Sequence, residues 1–132
     1  MKFDIKEFDT ILYPRKIWVA KGGVKKDIAR HFNDDEGDPL WVSTKDVDSS
    51  KAITIDTISD NDTGNYGVLV WLHDLSKCDI ATIAHEADHV ANAIFQSIGA
   101  KVDCENDETH AYLVGFAAEC IWKVKTGRYG DK

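Results

Sequence analysis

The sequence predicts an α+β fold, a small mixed sheet packed against two C-terminal helices, and three observations carry that prediction. Several short segments before residue 73 are rich in β-branched and aromatic residues. Two later stretches repeat apolar residues at helical spacing. Clusters of Gly, Pro, Asp and Asn punctuate the whole. Period-two and period-3.6 patterns separate strand from helix because side chains alternate across a strand but recur about every turn of a helix. At 132 residues the chain suits one domain, residues 1–132, with a single core.

Thr10 to Ala20, with Ile11, Tyr13, Ile17, Trp18 and Val19, reads as strand. Pro14 cannot donate to a ladder, so an edge, a bulge or a break between two short strands is expected there. Gly22-Gly23 gives a turn, and Val24, Ile28 and Phe32 mark an amphipathic helix. The acidic run Asn33 to Pro39 reads as a solvated loop, since the fixed ligand spacing of a calcium loop is absent. Leu40 to Thr44 is a short strand candidate. Lys51 to Ile58 alternates, Ile53 and Ile55 against Thr54 and Asp56, as a half-buried strand does. A polar connector, Ser59 to Asn65, leads to a strand over Tyr66 to Leu72. The short link makes 53–58 and 67–72 antiparallel neighbours.

Ser76 followed by Asp79 forms a capping box that should start the first long helix, and Gly99 stops it. Between them Ile80, Ile83, Ala87, Val90, Ile94 and Ile98 form a core stripe. At about 100° per residue, His85, His89, Asn92 and Gln96 fall on the opposite face, with Thr82, Glu86 and Ala93 beside them. A second helix runs from about Asp107 to Lys125, burying Leu113, Phe116, Ala117, Cys120 and Val124, and ends at Gly127.

Composition narrows the function classes. Hydrophobic residues make up 43% and charged residues 30%, as in soluble globular chains. The longest apolar runs, such as Val68 to Leu72, are too short to span a bilayer, so no membrane partner is expected. A net charge of −7 disfavours nucleic acid. The basic residues, scattered over Lys2 to Arg30 and Lys123 to Lys132, read as solvating surface. Cys78, Cys104 and Cys120 form no C-x-x-C pair and an odd set, and read as small buried apolar groups. With no secretory pattern at the start, a reducing cytosol is the expected location. The four tryptophans read as core or interface. His31, His73 and His110 read as ordinary histidines. The sequence carries no statement of oligomeric state.

His85-Glu86-Ala87-Asp88-His89 is the motif with chemistry in it. Two histidines four residues apart share one helix face and can grip one metal ion. Glu86, about 100° round the helix, can touch a water on that metal without being a ligand. A catalytic zinc takes three protein ligands and keeps one position open. Downstream candidates are Glu105, Asp107, Glu108, His110 and Glu119. Glu108 shares a face with Ala111, Tyr112, Gly115 and Glu119, whose small members would let the helices approach closely, whereas His110 points about the other way. Glu108 is the favoured third ligand and Glu105 the runner-up.

These residues resemble a family. His85 to His89 followed nineteen residues later by Glu108 looks like a gluzincin-type zincin metallopeptidase. Glu108-Thr109-His110-Ala111 and Phe116-Ala117-Ala118-Glu119 are similar to ImmA/IrrE-type peptidases and to small phage-encoded proteins carrying H-E-A-x-H. The resemblance covers about the second half of the chain and names no substrate. It implies a minimal zincin-like domain in which His85, His89 and Glu108 hold Zn²⁺, and Glu86 serves as general base on a metal-activated water, in hydrolysis of a peptide or protein in a bacterial or phage-infected cytosol. Tyr112, one turn after Glu108, would be a candidate oxyanion donor, or a tyrosine packed between helices. Asn92 or Asp88 would orient a ligand histidine. An exposed edge of the strand near 66–72 would pair with an extended substrate. The rival readings are a non-catalytic binding or inhibitor protein on the same scaffold, its metal structural or lost, and a virion or assembly protein using the fold architecturally.

Overall fold

A computed structural model describes residues 2–128, except the side chains of Asp48 and Ser49; residues 129–132 of the basic C-terminal stretch lie outside the described residues. The elements run β1 (Asp4–Asp9), β2 (Lys16–Lys21), α1 (Lys25–His31), β3 (Phe32–Asn33), α2 (Thr44–Ser49), β4 (Ile53–Asp60), β5 (Tyr66–Leu72), a 3₁₀ turn (Leu75–Lys77), α3 (Ile80–Ser97) and α4 (Glu108–Thr126). The strand order is β1-β2-β5-β4-β3. Only β2 and β5 are parallel, so the sheet is mixed and the α+β class holds.

Both faces of this sheet are covered. Val68, Val70 and Leu72 of β5, with Ile17 and Val19 of β2, pack on α3 and α4. The alternate residues Trp18, Ala20, Leu69 and Trp71 face a second cluster with Ile28, Phe32, Leu40 and Val42. A strand buried on both sides reads as a continuous apolar run, and Val68–Leu72 is one. β5 is therefore the central strand, paired with β2 and β4, and the expected free edge near 66–72 does not exist.

The antiparallel pairing of β4 and β5 matches expectation. It contains an irregularity that the alternation did not signal: Ile55 pairs Leu69 while Ile58 pairs Gly67, one extra residue on β4. Thr57 sits there with φ 54°. The insertion flips parity, so Ile58 reaches the second cluster along with Ile53 and Ile55, while Thr54, ahead of the insertion and opposite Val70, faces α3 by simple alternation.

Several boundaries moved. The expected strand over Thr10 to Ala20 is broken: the ladder holds only Lys16–Lys21, and its hairpin partner is the charged segment Asp4–Asp9. Pro14 lies in the connector, where Thr10 Oγ1 donates to the carbonyls of Tyr13 at 2.8 Å and Arg15 at 3.1 Å. Leu40 to Thr44 is not a strand. Leu40 and Val42 are buried, but Ser43 accepts a bond from Asp46 N at 3.0 Å and caps α2, a short helix that no apolar periodicity marks. The first long helix starts at Ile80 rather than near Ser76. Asp79 caps it, accepting from Thr82 N at 2.9 Å, while Ser76 Oγ is spent on Asp74 at 2.8 Å. Ile80, at the first turn, is 83% exposed and leaves the core stripe; Ile83, Ala87, Val90 and Ile94 stay in it.

The stripe on α4 is as expected in Leu113, Ala117, Cys120 and Val124, with Ile121 added and Phe116 half-buried. Gly99 (φ 75°) and Gly127 (φ 72°) end the two helices in the left-handed conformation. Trp18 and Trp71 are core, whereas Trp41 and Trp122 are exposed. Cys78 and Cys120 are buried as anticipated, but Cys104 is exposed because it lies in the polar loop between the helices. Among the described residues no helix is long and apolar enough to cross a membrane.

Candidate metal and catalytic site

The core stripe of α3 turns His85 and His89 outward, over a cleft of about 810 Å³. One wall is α3, with Thr82, His85, Glu86, His89, Asn92 and Gln96; the other is α2 and β4, with Asp46, Lys51, Thr54 and Asp56. The two histidine Nε2 atoms lie 3.1 Å apart, with the rings at 82° to each other. Two neighbouring nitrogen ligands at about 2.0–2.1 Å from a tetrahedral zinc stand roughly 3.3 Å apart, so the pair has the separation that one ion requires.

Glu86 is the one acidic side chain buried in the described part of the chain, 7% exposed. Thr54 Oγ1 donates to its Oε1 at 2.8 Å, and its Oε2 lies 3.7 Å from His85 Nε2. A buried carboxylate is costly unless hydrogen-bonded. Here the hydroxyl from β4 satisfies one oxygen and the other looks toward the histidines. Thr54 was not singled out from sequence, and nothing local could have found it. Its role depends on β4 lying across α3, where Thr54 pairs with Val70 on the sheet face that α3 covers.

The third ligand is where expectation and geometry part. α3 and α4 pack antiparallel: His110 Nε2 meets Asn92 Oδ1 at 2.8 Å, its ring lies 5.2 Å from that of Phe95, and Lys125 Nζ bonds the Cys78 carbonyl. His110, Leu113, Ala117 and Val124 therefore form the face of α4 turned to α3. Glu108, about 200° from His110, is on the outer face and exposed. The first turn of α4 also lies beside Asn92 and Phe95 of α3, three and six residues past His89. Tyr112 shares that outer face, is 54% exposed and does not line the cleft. The reason is the competition within α4: burying Leu113, Ala117, Ile121 and Val124 fixes its rotation, and the small residues Ala111 and Gly115 are left outside. Glu105 lies in the exposed loop before α4. Among the described residues no group of three or more His, Cys, Asp or Glu is placed to share an ion. The donors in place thus fit two of the three positions of a catalytic zinc.

Asp88 and Asn92, expected to orient a ligand histidine, are bonded to each other and to α4 among the described residues. Asn92 Nδ2 donates to Asp88 Oδ2 at 3.2 Å and its oxygen meets His110, a chain that ties α3 to α4. The cleft's own carboxylates beyond Glu86 are Asp46 and Asp56, on the wall opposite the histidines.

Comparison with protein-family models, with curated proteins and with solved structures returned no match to this chain.

Proposed function

We propose that the chain is a zinc-dependent hydrolase acting on peptides. The observation that carries the reading is the convergence of His85 and His89 Nε2 at 3.1 Å beside a buried Glu86, on the floor of a cleft. A bound zinc would supply Lewis-acid polarisation and a water acidified to near neutral pH. Glu86 takes the proton of the attacking water and returns it to the leaving amine. Thr54 holds the Glu86 carboxylate in place, and the packed helix fixes both histidines. The outer edge of β4 over residues 53–57 has no strand partner among the described residues, since β3 reaches only Ser59 and Asp60. That edge borders the cleft, so an extended peptide can pair with it while lying across the histidines.

Glu108 remains the proposed third ligand, with Glu105 behind it. Glu105 lies in the exposed loop before α4 and Glu108 is the first residue of that helix, also exposed, and reaching His89 requires that segment to move. The incomplete donor set favours one alternative, a binding protein that uses the cleft without catalysis.

The test is zinc content and turnover of a mixed peptide pool by the purified chain. About one zinc per chain is expected, lost in His85→Ala and His89→Ala. Glu86→Gln should keep zinc and abolish cleavage, and an active Glu86→Gln would refute the mechanism. Lowered zinc in Glu108→Ala, with Glu105→Ala unchanged, assigns the third ligand; no change in either removes both.

A further inference from the structure

The cleft does not end at Gln96. It shares Asp56, Ala93 and Gln96 with a second depression of about 300 Å³, lined beyond them by Arg15, Tyr66 and Ser97. The two form one groove along α3 from Thr82 to Ser97, about 22 Å, enough for six or seven residues of extended peptide. Among the described residues Arg15 is the one cation lining the far end.

Arg15 is half-buried as a residue and its guanidinium is tethered. Nε donates to Ser97 Oγ at 3.1 Å, Nη2 to the Ser97 carbonyl at 3.3 Å and Nη1 to the Pro14 carbonyl at 2.8 Å. Three of five N–H groups are used, leaving one on each terminal nitrogen. Two such N–H groups are what a carboxylate accepts in a bidentate pair. Among the described residues no carboxylate makes an ion pair with Arg15, although the chain carries 23 Asp and Glu. A cation held in place by neutral acceptors, at the mouth of a groove in an acidic protein, is prepared for an anion from outside.

We propose that Arg15 is a specificity-determining residue that binds a carboxylate of the peptide substrate. Ser97 lies eight residues past His89, about 12 Å along the helix, so the carboxylate belongs three or four residues from the scissile bond. It is either an Asp or Glu side chain or the free C-terminus. The inference rests on the groove holding a peptide, as in the hydrolase reading, but not on cleavage.

Zinc-loaded full-length chain is incubated with positional-scanning acetylated octapeptides, each made as free acid and as C-terminal amide, and cut sites are mapped by mass spectrometry. Binding of the same peptides to the Glu86→Gln chain is measured in parallel. Cleavage and binding should be favoured about tenfold to a hundredfold by a carboxylate three or four residues from the cut. Loss of the preference on amidation alone identifies the C-terminus, and its survival identifies a side chain. Arg15→Gln should erase the preference in both cleavage and binding, and Arg15→Lys should restore part of it. Carboxylate-dependent binding without cleavage sinks the hydrolase reading and leaves the Arg15 site standing. Binding or cleavage indifferent to carboxylates, a preference that survives in Arg15→Gln, or no peptide binding at all overturns the inference.

Discussion

The Thr54–Glu86 hydrogen bond is the contact through which the sheet controls the site, and Thr54→Val tests it directly. Valine keeps the branched shape and strand preference of threonine and removes only the hydroxyl. In the parent the hydroxyl donates at 2.8 Å to a carboxylate that is 7% exposed. A hydrogen bond to a charged group contributes about 1.5–3 kcal/mol. Glu86 borders an open cleft, so water can replace part of the lost bond. The expected destabilisation is therefore at the lower end, about 1–2 kcal/mol. Thr54→Val, Glu86→Gln and the double variant form a cycle in urea unfolding, followed by fluorescence of the buried Trp18 and Trp71. Because a neutral amide accepts a weaker bond than a carboxylate, the two changes should couple by about 1 kcal/mol. Coupling under roughly 0.3 kcal/mol, within ordinary additivity, would mean that the hydroxyl does not hold Glu86, and the positioning argument for β4 would fall with it.

Other perturbations read separate parts of the molecule. Gly67→Ala should cost several kcal/mol in urea unfolding, because a Cβ there would run into the Lys16 carbonyl and lie 2.8 Å from the Trp18 ring; a cost below about 1 kcal/mol would mean that β2 and β5 are not paired in this register. Cys104 should react with a thiol reagent at pH 8 while Cys78 and Cys120 resist, since burial raises both buried thiols, Cys120 to about 12. The folded state favours the protonated Cys120 thiol, so its stabilising effect is complete below the unfolded value near 9 and is lost as pH rises from there toward about 12. A Cys120→Ala chain should lose less stability over that range. The bond from the Thr82 amide holds Asp79 below its ordinary 3.8. Its contribution to stability is thus present above that value and disappears as pH falls through the lowered one. Asp79→Ala should lower the melting temperature at pH 7, with the gap to the parent closing in acid.

The two long helices, the β4–β5 hairpin and the outward pair His85/His89 were all legible in the sequence, because each follows from local periodicity: a stripe of Ile83, Ala87, Val90 and Ile94 leaves only one direction for histidines at 85 and 89. What periodicity could not supply was anything set by another part of the chain. Strand β1 carries four charges in its six residues, Asp4, Lys6, Glu7 and Asp9, and is held as a strand by the ladder to β2. The stretch Leu40 to Thr44, expected as a strand, instead buries Leu40 and Val42 without a ladder and leads into α2, which Ser43 caps. Glu108 was chosen from spacing along one helix, but the rotation of α4 is decided by which apolar stripe buries more area against α3 and the sheet. Thr54 and Arg15 are near neither histidine in sequence, and each enters the groove through a strand or turn laid beside α3. The sequence by itself determined that two imidazoles and a carboxylate would share one helix. Only the packing of β4, α4 and the β1–β2 turn around that helix decided which other groups meet them, because side-chain contact between distant segments depends on the relative placement of whole elements and not on any local pattern.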